Sequence, residues 1–351
     1  MGIYGYMRQT TPYLNQLKDI GAITIVSQVS ASCAESACGL MSIASSRFIH
    51  LMPETPFTLQ QVLKRHGYQT HMILNGDHTN FYNLKNLYGP VDSYFDASVS
   101  KKNTYYANDD SIIVDETNQL PDWDRVPVMF QFHLMSAHPM RKHQPKSHKY
   151  MPMKNYNGMT HGKASTEYIN FYDNGVVQTD ATIKRLLQTP ESKHYLDDAI
   201  VVITADHGEA LGEHQLNSHA NGVFEEQLKI PLIFISTVPS QTKIKPIKKI
   251  VSQVDIAPSI LYELGMNIPQ NWTGTPVQLS FEPKFTYFHL QPEEGLYDYR
   301  QQGHHSKYWV NMQNGKEYVY NVSTDPSEKK ILSKPFRQHK KTWCMQLSKQ
   351  Y

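Results

Sequence analysis

The sequence predicts an α/β fold with a mainly parallel central sheet flanked by helices, followed by a small antiparallel sheet. Over most of the 351 residues, apolar runs alternate with amphipathic segments, a pattern typical of βαβ units. After about residue 283, short aromatic and β-branched runs alternate with turn-forming stretches, which is typical of an antiparallel meander. We therefore expect an α/β domain over residues 1–282 and an antiparallel subdomain over residues 283–351.

The apolar patterns also place the individual elements. Residues 58–75 predict a helix that stops at Gly67 and a strand that follows it, and the polar residues 140–165 predict a long surface loop. Further strands are predicted over 22–29, 126–135, 197–208 and 229–236, helices over 168–189 and 252–265, and C-terminal strands within 285–290, 307–312 and 316–322. The uninterrupted apolar runs in 126–135 and 197–208 predict that these two strands are buried.

Charge and cysteine content exclude several classes of protein. Lys and Arg total 34 and Asp and Glu total 32, so the formal charge of +2 gives no field directed at nucleic acid, and we expect no nucleic-acid partner. Three cysteines without a CxxC pair exclude a disulfide scaffold and a zinc-finger framework. No apolar run of about 18 residues occurs, and the first residues do not resemble a signal peptide, so neither a membrane span nor an export signal is expected within this sequence. The 17 histidines direct attention to metal or acid–base chemistry.

Side chains that bind metals follow two of the predicted strands. They are Asp206, His207 and Glu209 after the strand at 197–208, His133 and His138 after the strand at 126–135, and His219 further along the chain. Parallel sheets bind ligands at the carboxyl ends of their strands, so we expect these side chains to meet. Carboxylate and imidazole together suit Zn²⁺ or Mn²⁺ better than Ca²⁺ or Mg²⁺. The alternative is that Asp206 caps the following turn and the histidines lie on the surface.

A candidate nucleophile lies at the start of a predicted helix. A strand ends near Val29, small residues follow, and the helix is expected to start around Ala34. Cys33 therefore lies where the helix dipole and free backbone N–H groups lower the pKa of a thiol and hold phosphate or sulfate oxygens. The alternative is that Cys33 is a small apolar residue in the turn before the helix, with Ser32 or Ser36 as the N-cap. The spacing leaves both interpretations open.

Several motifs occur in an order typical of one enzyme superfamily. They are GIYGYMRQTTPYLNQL, CAESACGLMS, HLMSAHP, TADHGEALGEH and SHANGVFEEQLKIPLIF. The sequence resembles the alkaline phosphatase superfamily, and within it the sulfatases and the phosphoethanolamine or phosphoglycerol transferases of bacterial envelopes. The resemblance runs over nearly the whole chain and implies an alkaline phosphatase/sulfatase-like fold. It also implies transfer of a phosphoryl or sulfuryl group through a covalent enzyme intermediate, with a divalent metal, Zn²⁺ before Mn²⁺, Ca²⁺ or Mg²⁺.

The resemblance also implies roles for particular residues. Cys33 falls where the superfamily keeps its nucleophile, which also contacts the metal. Asp206 and His207 match the paired metal ligands at a strand end. His138 and His219 match histidines that hold substrate oxygens, the leaving group or a second metal. These roles agree with general chemistry, because a metal favours the thiolate and imidazoles stabilise charge and move protons.

The nucleophile segment departs from the sulfatase pattern. Sulfatases carry Pro two residues and Arg four residues after the cysteine, whereas this sequence has Glu35 and Ala37 there. We therefore do not expect conversion of Cys33 to formylglycine. Either the Cys33 thiol attacks directly, or Ser32 takes this role, or turnover is lost.

A second departure concerns the first strand of the superfamily fold. That strand ends in an acidic metal ligand and normally precedes the YGYMRQTTP segment, which here begins only a few residues after Met1. We therefore expect this sequence either to be a fragment that lacks the strand or to have a misassigned start. Membrane helices are possible upstream in a full-length protein, which would then act on the periplasmic or extracytoplasmic face of the inner membrane.

The leading functional hypothesis is a metal-dependent hydrolase of sulfate or phosphate esters. The first alternative is a transferase of the phosphoethanolamine or phosphoglycerol type that acts on an envelope lipid or glycan, and the second is an inactive member that binds anions. The expected partner is an anionic ester, such as a lipid headgroup or glycan, and membrane contact is expected only through a segment absent from this chain. Other polar residues are expected to be structural or exposed: His304 and His305 in a turn, His143, His148 and His161 in the long loop, and Asp180 and Asp255 on helices.

Overall fold

The computed structural model describes residues 1–98, 109–155, 161–237 and 244–332. The helices are α1 (Pro12–Asp19), α2 (Ser36–Ser45), α3 (Leu59–Arg65), α4 (Leu84–Tyr88), α5 (Ser111–Thr117), α6 (Thr166–Ser192), α7 (Glu225–Leu228) and α8 (Ile256–Glu263). The strands are β1 (Ile23–Val26), β2 (Val29–Ser30), β3 (Gln69–Leu74), β4 (Ser93–Phe95), β5 (Val128–His133), β6 (Ile200–Thr204), β7 (Ala210–Leu211), β8 (Asn217–Ser218), β9 (Leu232–Ser236), β10 (Val251–Ser252), β11 (Phe285–Leu290), β12 (Glu293–Asp298), β13 (Ser306–Asn311) and β14 (Glu317–Asn321). None of the helices in the described ranges is long and apolar enough to cross a membrane.

Two three-stranded sheets form the centre of the α/β fold. In the first, β3 lies between β4 and β5 and pairs with both in parallel, as the sequence predicts. In the second, β9 lies between β1 and β6 and runs antiparallel to both, which departs from a sheet built of βαβ units. The connection from β6 to β9 contains β7, a 3-10 turn, β8 and the four-residue helix α7, but no long crossover helix of the kind that joins parallel strands.

The C-terminal strands form the antiparallel sheet that the sequence predicts. β11, β12, β13 and β14 pair in sequence order. Phe288, Tyr297 and Trp309 of this sheet share one apolar cluster with Leu232 and Phe234 of β9, so the sheet packs on the centre of the fold. The sequence analysis missed β12, because this strand begins with two glutamates and a glycine, which are residues depleted in strands.

A cavity of about 1740 Å³ is lined by β5 and β6, the edge strands of the two central sheets. Among the described residues, β5 pairs only with β3 and β6 pairs only with β9, so one edge of each strand is left without a strand partner. Every residue of β5 and β6 is half-buried, although their apolar sequences predict buried strands. These strands are only half-buried because their free edges face the open cavity and no neighbouring strand covers them.

Local signals explain where several helices begin and end. The Thr58 hydroxyl accepts from the backbone N–H of Gln61 and the Gln61 side chain accepts from the backbone of Thr58, a capping box that starts α3. Gly67 follows this helix with a φ of 85°, and Gly265 follows α8 with a φ of 66°. Both glycines adopt the left-handed conformation that ends a helix, which confirms the two predicted stops.

The two helix acids have the structural roles expected of them. The Asp180 carboxylate accepts from the backbone N–H groups of Tyr13 and Leu14 at 2.7 and 3.0 Å and so fastens the start of α1 to α6. Asp255 forms a buried ion pair with Lys248 at 2.7 Å. In the loop predicted over 140–165, the described residues contain only a three-residue 3-10 turn at Pro145–Ser147 before α6 begins. Residues 156–160 of this loop and Cys344 lie outside the described residues.

Candidate active site

The carboxyl ends of β5 and β6 meet the N-terminal end of α2. His133 is the last residue of β5, Asp206 and His207 follow β6, and Ser36 is the first residue of α2. The helix approaches the strand end closely at Gly39, where an added Cβ would collide with the Asp206 carbonyl group. The glycine in the middle of α2 therefore permits the contact that brings a helix N-terminus to these side chains.

Asp206 and His207 lie side by side and are largely buried. Oδ2 of Asp206 lies 3.4 Å from Nε2 of His207, and these side chains are 18% and 7% exposed. Nδ1 of His207 lies 2.8 Å from the Gly208 carbonyl oxygen, so Nδ1 carries the proton and Nε2 is left with its lone pair. Burial, the largest influence, raises the pKa of Asp206, but three nearby histidines (His207, His133 and His219) and the hydrogen bond with Ser36 together lower this pKa below its ordinary value. Asp206 is therefore an anion beside an imidazole whose free nitrogen can bind a metal.

His219 completes a group of possible metal ligands with Glu209 and His207. One ligand atom from each of the three residues lies within 4.8 Å of the others. Nδ1 of His219 lies 2.9 Å from Oε2 of Glu209. Burial, the largest influence, lowers the pKa of His219, but the hydrogen bond and charge of Glu209 outweigh it and raise this pKa above its ordinary value. Two imidazoles and a carboxylate form a donor set that fits Zn²⁺, with Asp206 adjacent as a further oxygen ligand.

His138 reaches the same cluster from the segment after β5. Its ring centroid lies 5.0 Å from that of His219, which in turn lies 4.2 Å from that of His207. Burial and the neighbouring His219 lower the pKa of His138 to about 3, so this imidazole is neutral. The backbone around it is fixed by the buried Arg141, whose Nη1 donates to the His138 carbonyl oxygen at 2.7 Å. The structure thus brings together Asp206, His207, His138 and His219, as expected from the strand-end pattern.

The structure does not give Cys33 the thiolate that its predicted role requires. Its sulfur is bonded to that of Cys38, and the residue is fully buried. The backbone on either side pairs with β11, since His289 N donates to the Ser32 carbonyl oxygen and Ala34 N donates to the His289 carbonyl oxygen. A disulfide sulfur is neither a nucleophilic thiolate nor a thiolate ligand. In this disulfide-bonded form the Cys33 thiol is not free, and the assignment of Cys33 as nucleophile and metal ligand stays a prediction.

Ser36, and not Ser32, presents its hydroxyl group to the metal-type side chains. Ser36 Oγ lies 3.0 Å from Nε2 of His207 and also hydrogen-bonds with Asp206. Ser32 is 1% exposed, and its hydroxyl donates to Oε1 of Gln253 at 2.9 Å. Ser32 therefore contributes to the packing of the strand end through Gln253, whose amide donates to the Asp206 carbonyl oxygen at 2.7 Å. The sequence analysis considered Ser36 only as a helix cap, a role that the structure gives to the backbone of Glu35.

His78 is a member of the site that the sequence analysis missed. It follows β3, the strand next to β5, and its Nε2 lies 2.9 Å from Nδ1 of His133. Its other ring nitrogen lies 3.1 Å from the Tyr88 hydroxyl group. Burial and His133 lower the pKa of His78 to about 3. The rule that strand ends collect ligands applies equally to the NGDH segment after β3 and would have found this residue.

The remaining histidines lie outside the cluster. His143 and His148 pack against each other with ring centroids 5.7 Å apart, and Nε2 of His143 accepts from Nε of Arg141 at 2.8 Å. These two are half-buried, which corrects their assignment as ordinary surface residues, whereas His161 is exposed. The expected turn after β12 contains His304 and His305, and the His305 ring packs on Tyr299 with centroids 5.0 Å apart.

Comparisons with known proteins point to one family. The family model described as sulfatase matches residues 1–266. A Δ4,5-hexuronate-2-O-sulfatase of Bacteroides thetaiotaomicron is 27% identical over 169 residues, which is 45% of this chain and 34% of that protein. A Kdo(2)-lipid A phosphoethanolamine 7''-transferase of Salmonella typhimurium is 26% identical over 238 residues, which is 66% of this chain and 41% of that protein. The chain therefore matches only about a third to two fifths of the length of these curated relatives.

Solved structures share the fold of this chain. One, determined in complex with its substrate D-glucosamine-2-N,6-O-disulfate, has a TM-score of 0.76 at 17% identity and covers 100% of this chain and 94% of its own. The C-terminal periplasmic domain of EcEptC from Escherichia coli, in complex with Zn, has a TM-score of 0.65 at 17% identity and covers 82% and 85% of the two chains. At these identities the likeness establishes the fold alone.

Proposed function

This chain belongs to the sulfatase family, and from that membership we propose that it is a metal-dependent hydrolase of sulfate or phosphate esters. The observation that carries the proposal is the contact of Ser36 with Asp206 and His207 at the strand ends, with His219 beside them. A hydroxyl group, a carboxylate and imidazoles in one cleft are the parts required for transfer of a phosphoryl or sulfuryl group to the enzyme.

The metal would be held by His207, Glu209 and His219, with Asp206 as an additional ligand. The donor set favours Zn²⁺, with Mn²⁺, Ca²⁺ or Mg²⁺ as alternatives. Such an ion supplies charge that polarises the ester oxygen and favours the deprotonated nucleophile. His138 lies at the edge of this group and would donate a hydrogen bond to an ester oxygen.

Ser36 is the nucleophile that the geometry favours. In the first step a bond forms between Ser36 Oγ and the phosphorus or sulfur atom while the ester bond breaks. The hydroxyl proton of Ser36 leaves overall with the departing oxygen, which is released as an alcohol. In the second step water attacks the phosphorus or sulfur atom, the bond to Ser36 Oγ breaks, the Ser36 hydroxyl group is restored, and inorganic phosphate or sulfate is released. Cys33 is the candidate that the family resemblance favours, and it could act only after reduction of its bond to Cys38.

A transferase is the second candidate function. The phosphoethanolamine transferase of Salmonella typhimurium aligns with 66% of this chain, a larger share than the 45% that the hexuronate sulfatase covers. The two activities share the first chemical step and differ in whether water or an acceptor alcohol cleaves the intermediate. An anionic glycan or a lipid headgroup is the proposed substrate, and an inactive anion-binding protein is the competing possibility.

We propose that the cavity between β5 and β6 can accept one further strand. Each of these strands has a free edge on the cavity. At about 1740 Å³ the cavity exceeds the roughly 300–1,000 Å³ typical of small-molecule pockets. A strand that fills it would end beside Asp206 and His207, where an acidic residue could complete the metal site. We also propose a division into two domains between residues 282 and 283. An extracytoplasmic location is a further proposal.

Metal analysis combined with two model substrates tests the proposal. We would measure bound Zn and the hydrolysis of p-nitrophenyl phosphate and p-nitrophenyl sulfate by the wild type, Asp206→Asn and Cys33→Ala. Bound metal with hydrolysis that Asp206→Asn abolishes would support the enzyme, and loss of activity in both variants would restore Cys33 as a candidate. Metal-free protein without hydrolysis of either ester, also after addition of Zn²⁺, would contradict the proposal and favour the anion-binding protein.

A further inference from the structure

Two neighbouring loops expose large apolar side chains at one place on the surface. Ile247, Leu279 and Phe281, which we call the apolar patch, are 57%, 38% and 50% exposed. The loops are joined by a hydrogen bond from Ile247 N to the Val277 carbonyl oxygen at 2.8 Å. Single exposed apolar residues are common, but three on adjoining loops indicate a contact surface.

Lysines surround the apolar patch. Lys245, Lys249 and Lys284 are exposed on the same two loops. The acid between them, Glu282, accepts hydrogen bonds from the backbone N–H groups of Lys249 and Ile250 at 2.8 and 3.1 Å. Because these amides are its partners, Glu282 does not neutralise the lysine ammonium groups through a side-chain ion pair in this structure. Three exposed lysines, each +1, against the single −1 carboxylate of Glu282 still leave the two loops with a local net charge of +2.

The loops are held in place from beneath. Lys248 forms a buried ion pair with Asp255, and its ammonium group lies 5.7 Å from the centroid of the Phe281 ring. Glu263, the remaining acid at the edge of the patch, accepts from the Gln278 side chain at 3.1 Å. The apolar side chains are thus presented by an ordered backbone, so less conformational entropy is lost when they are buried.

We propose that the apolar patch and its surrounding lysines bind an anionic lipid surface. Protruding apolar side chains can enter the boundary between headgroups and acyl chains, while lysines outside them meet the headgroup phosphates. The complementary charge distinguishes this surface from an ordinary protein contact, whose centre is depleted of lysine. The inference rests on residues outside the candidate active site and goes beyond the proposed hydrolase.

Vesicle co-sedimentation tests the inference. The 351-residue protein would be mixed with vesicles of phosphatidylcholine alone, or of phosphatidylcholine with phosphatidylglycerol. We expect binding to the anionic vesicles, weakening as salt screens the lysines, and little binding to the neutral vesicles. The double variants Lys245→Glu/Lys249→Glu and Ile247→Ser/Phe281→Ser should each lower the partition coefficient more than about 10-fold.

Matched control variants distinguish binding by this surface from nonspecific binding by other exposed lysines and apolar side chains. Lys330→Glu reverses an exposed lysine elsewhere, and Met312→Ser removes an apolar side chain that is 54% exposed. Both controls should bind as the wild type does, and circular dichroism would verify that all variants are folded. Equal binding to neutral and anionic vesicles, or equal losses in patch and control variants, would overturn the inference. A third result would also overturn the inference: the protein does not bind vesicles but forms a dimer in light scattering, and Ile247→Ser/Phe281→Ser abolishes the dimer. The patch would then be a contact between two copies of the chain.

Discussion

Ser36 Oγ lies 3.0 Å from Nε2 of His207, so the N-terminal end of α2 presents a hydroxyl group to the strand-end histidine. The position follows from the packing of α2, which begins at Ser36 and approaches the Asp206 carbonyl group closely at Gly39. Cys33, the nucleophile that the sequence suggests, lies three residues earlier and is bonded to Cys38 in this structure.

Replacing Ser36 by Ala should abolish ester hydrolysis without loss of metal. Removal of a nucleophile lowers kcat by about a thousandfold or more in enzymes with a covalent intermediate. The variant should still bind Zn²⁺, because Ser36 is not among the residues that form the ligand group. Steady-state hydrolysis of p-nitrophenyl esters and mass spectrometry of the peptide with Ser36 measure this. Ser32→Ala, which removes a buried hydroxyl group bonded to Gln253, is the matched control. Full activity of Ser36→Ala would assign the attack to another group and leave the hydrolase proposal standing.

Glu209→Gln should weaken Zn²⁺ binding by about 10- to 100-fold, the usual cost of disturbing a histidine ligand through its hydrogen-bonded carboxylate. The carboxylate lies 2.9 Å from Nδ1 of His219 and belongs to the candidate ligand group. Titration against a chromophoric chelator measures the affinity. Glu226→Gln is a matched control, because Glu226 forms a comparable pair with His214 at 2.8 Å outside the ligand group. Equal losses in both variants would indicate a general effect on folding.

Stability should decrease as the pH falls below about 6.5. Burial, the largest influence, lowers the pKa of His50 to about 4 and that of His78 to about 3. Between 6.5 and these values the unfolded chain binds protons that the folded chain does not bind, so acid favours unfolding. Each histidine adds about 1.4 kcal/mol per pH unit to the slope.

Urea unfolding at several pH values measures this slope. His50→Gln should reduce it by about one proton's contribution between pH 6.5 and about 4. The control variant His194→Gln removes a histidine whose side chain is 72% exposed. A slope in His50→Gln equal to that of the wild type would show that His50 binds its proton equally in the folded and unfolded states, which would contradict the lowered pKa.

The fold could be predicted from the sequence wherever local chemistry decides the structure. The helix at 58–66 and its stop at Gly67 were predictable because a glycine with a φ of 85° ends the helix whatever lies around it. The direction of β9 was not predictable, since the sequence KIPLIFIS fits a parallel or an antiparallel strand equally well. Its pairing depends on the neighbouring strands, which are distant in sequence.

The candidate site could likewise be predicted only in part, where local sequence patterns place its residues. Asp206 and His207 were predictable because an apolar strand directly precedes them, and His219 because it lies close to them in the chain. The sequence could not decide between Ser36 and Cys33. Near the start of a helix, a shift of three residues decides whether a side chain faces the cleft or the protein interior. Only the backbone pairing of residues 32–34 with β11 fixes which of the two is buried.

Gly39→Ala should destabilise the protein, although the same change in an ordinary helix stabilises it. Without a steric conflict, alanine in a helix interior is favoured over glycine by roughly 0.5–1 kcal/mol. Here the new Cβ would collide with the Asp206 carbonyl group, and overpacking of this kind costs about 1–3 kcal/mol. The variant should therefore unfold at lower urea concentration and bind Zn²⁺ more weakly. Ala44→Gly in the same buried helix measures the propensity term, and a stabilised Gly39→Ala would contradict the close contact between α2 and the strand end.

Amide hydrogen exchange should distinguish β5 and β6 from the strands beside them. In the described structure β3 and β9 have a strand on both sides, whereas β5 and β6 each have one free edge on the cavity. Backbone N–H groups on a free edge lack a ladder partner, and successive residues of a strand point their N–H groups to opposite edges. In the 351-residue chain, about every second amide of β5 and β6 should therefore exchange much faster than the amides of β3 and β9. Slow exchange throughout β5 and β6 in the 351-residue chain would mean that both edges of each strand are already paired in solution. That result would contradict an open cavity. It would also remove the support that the cavity gives to the proposal of a further strand.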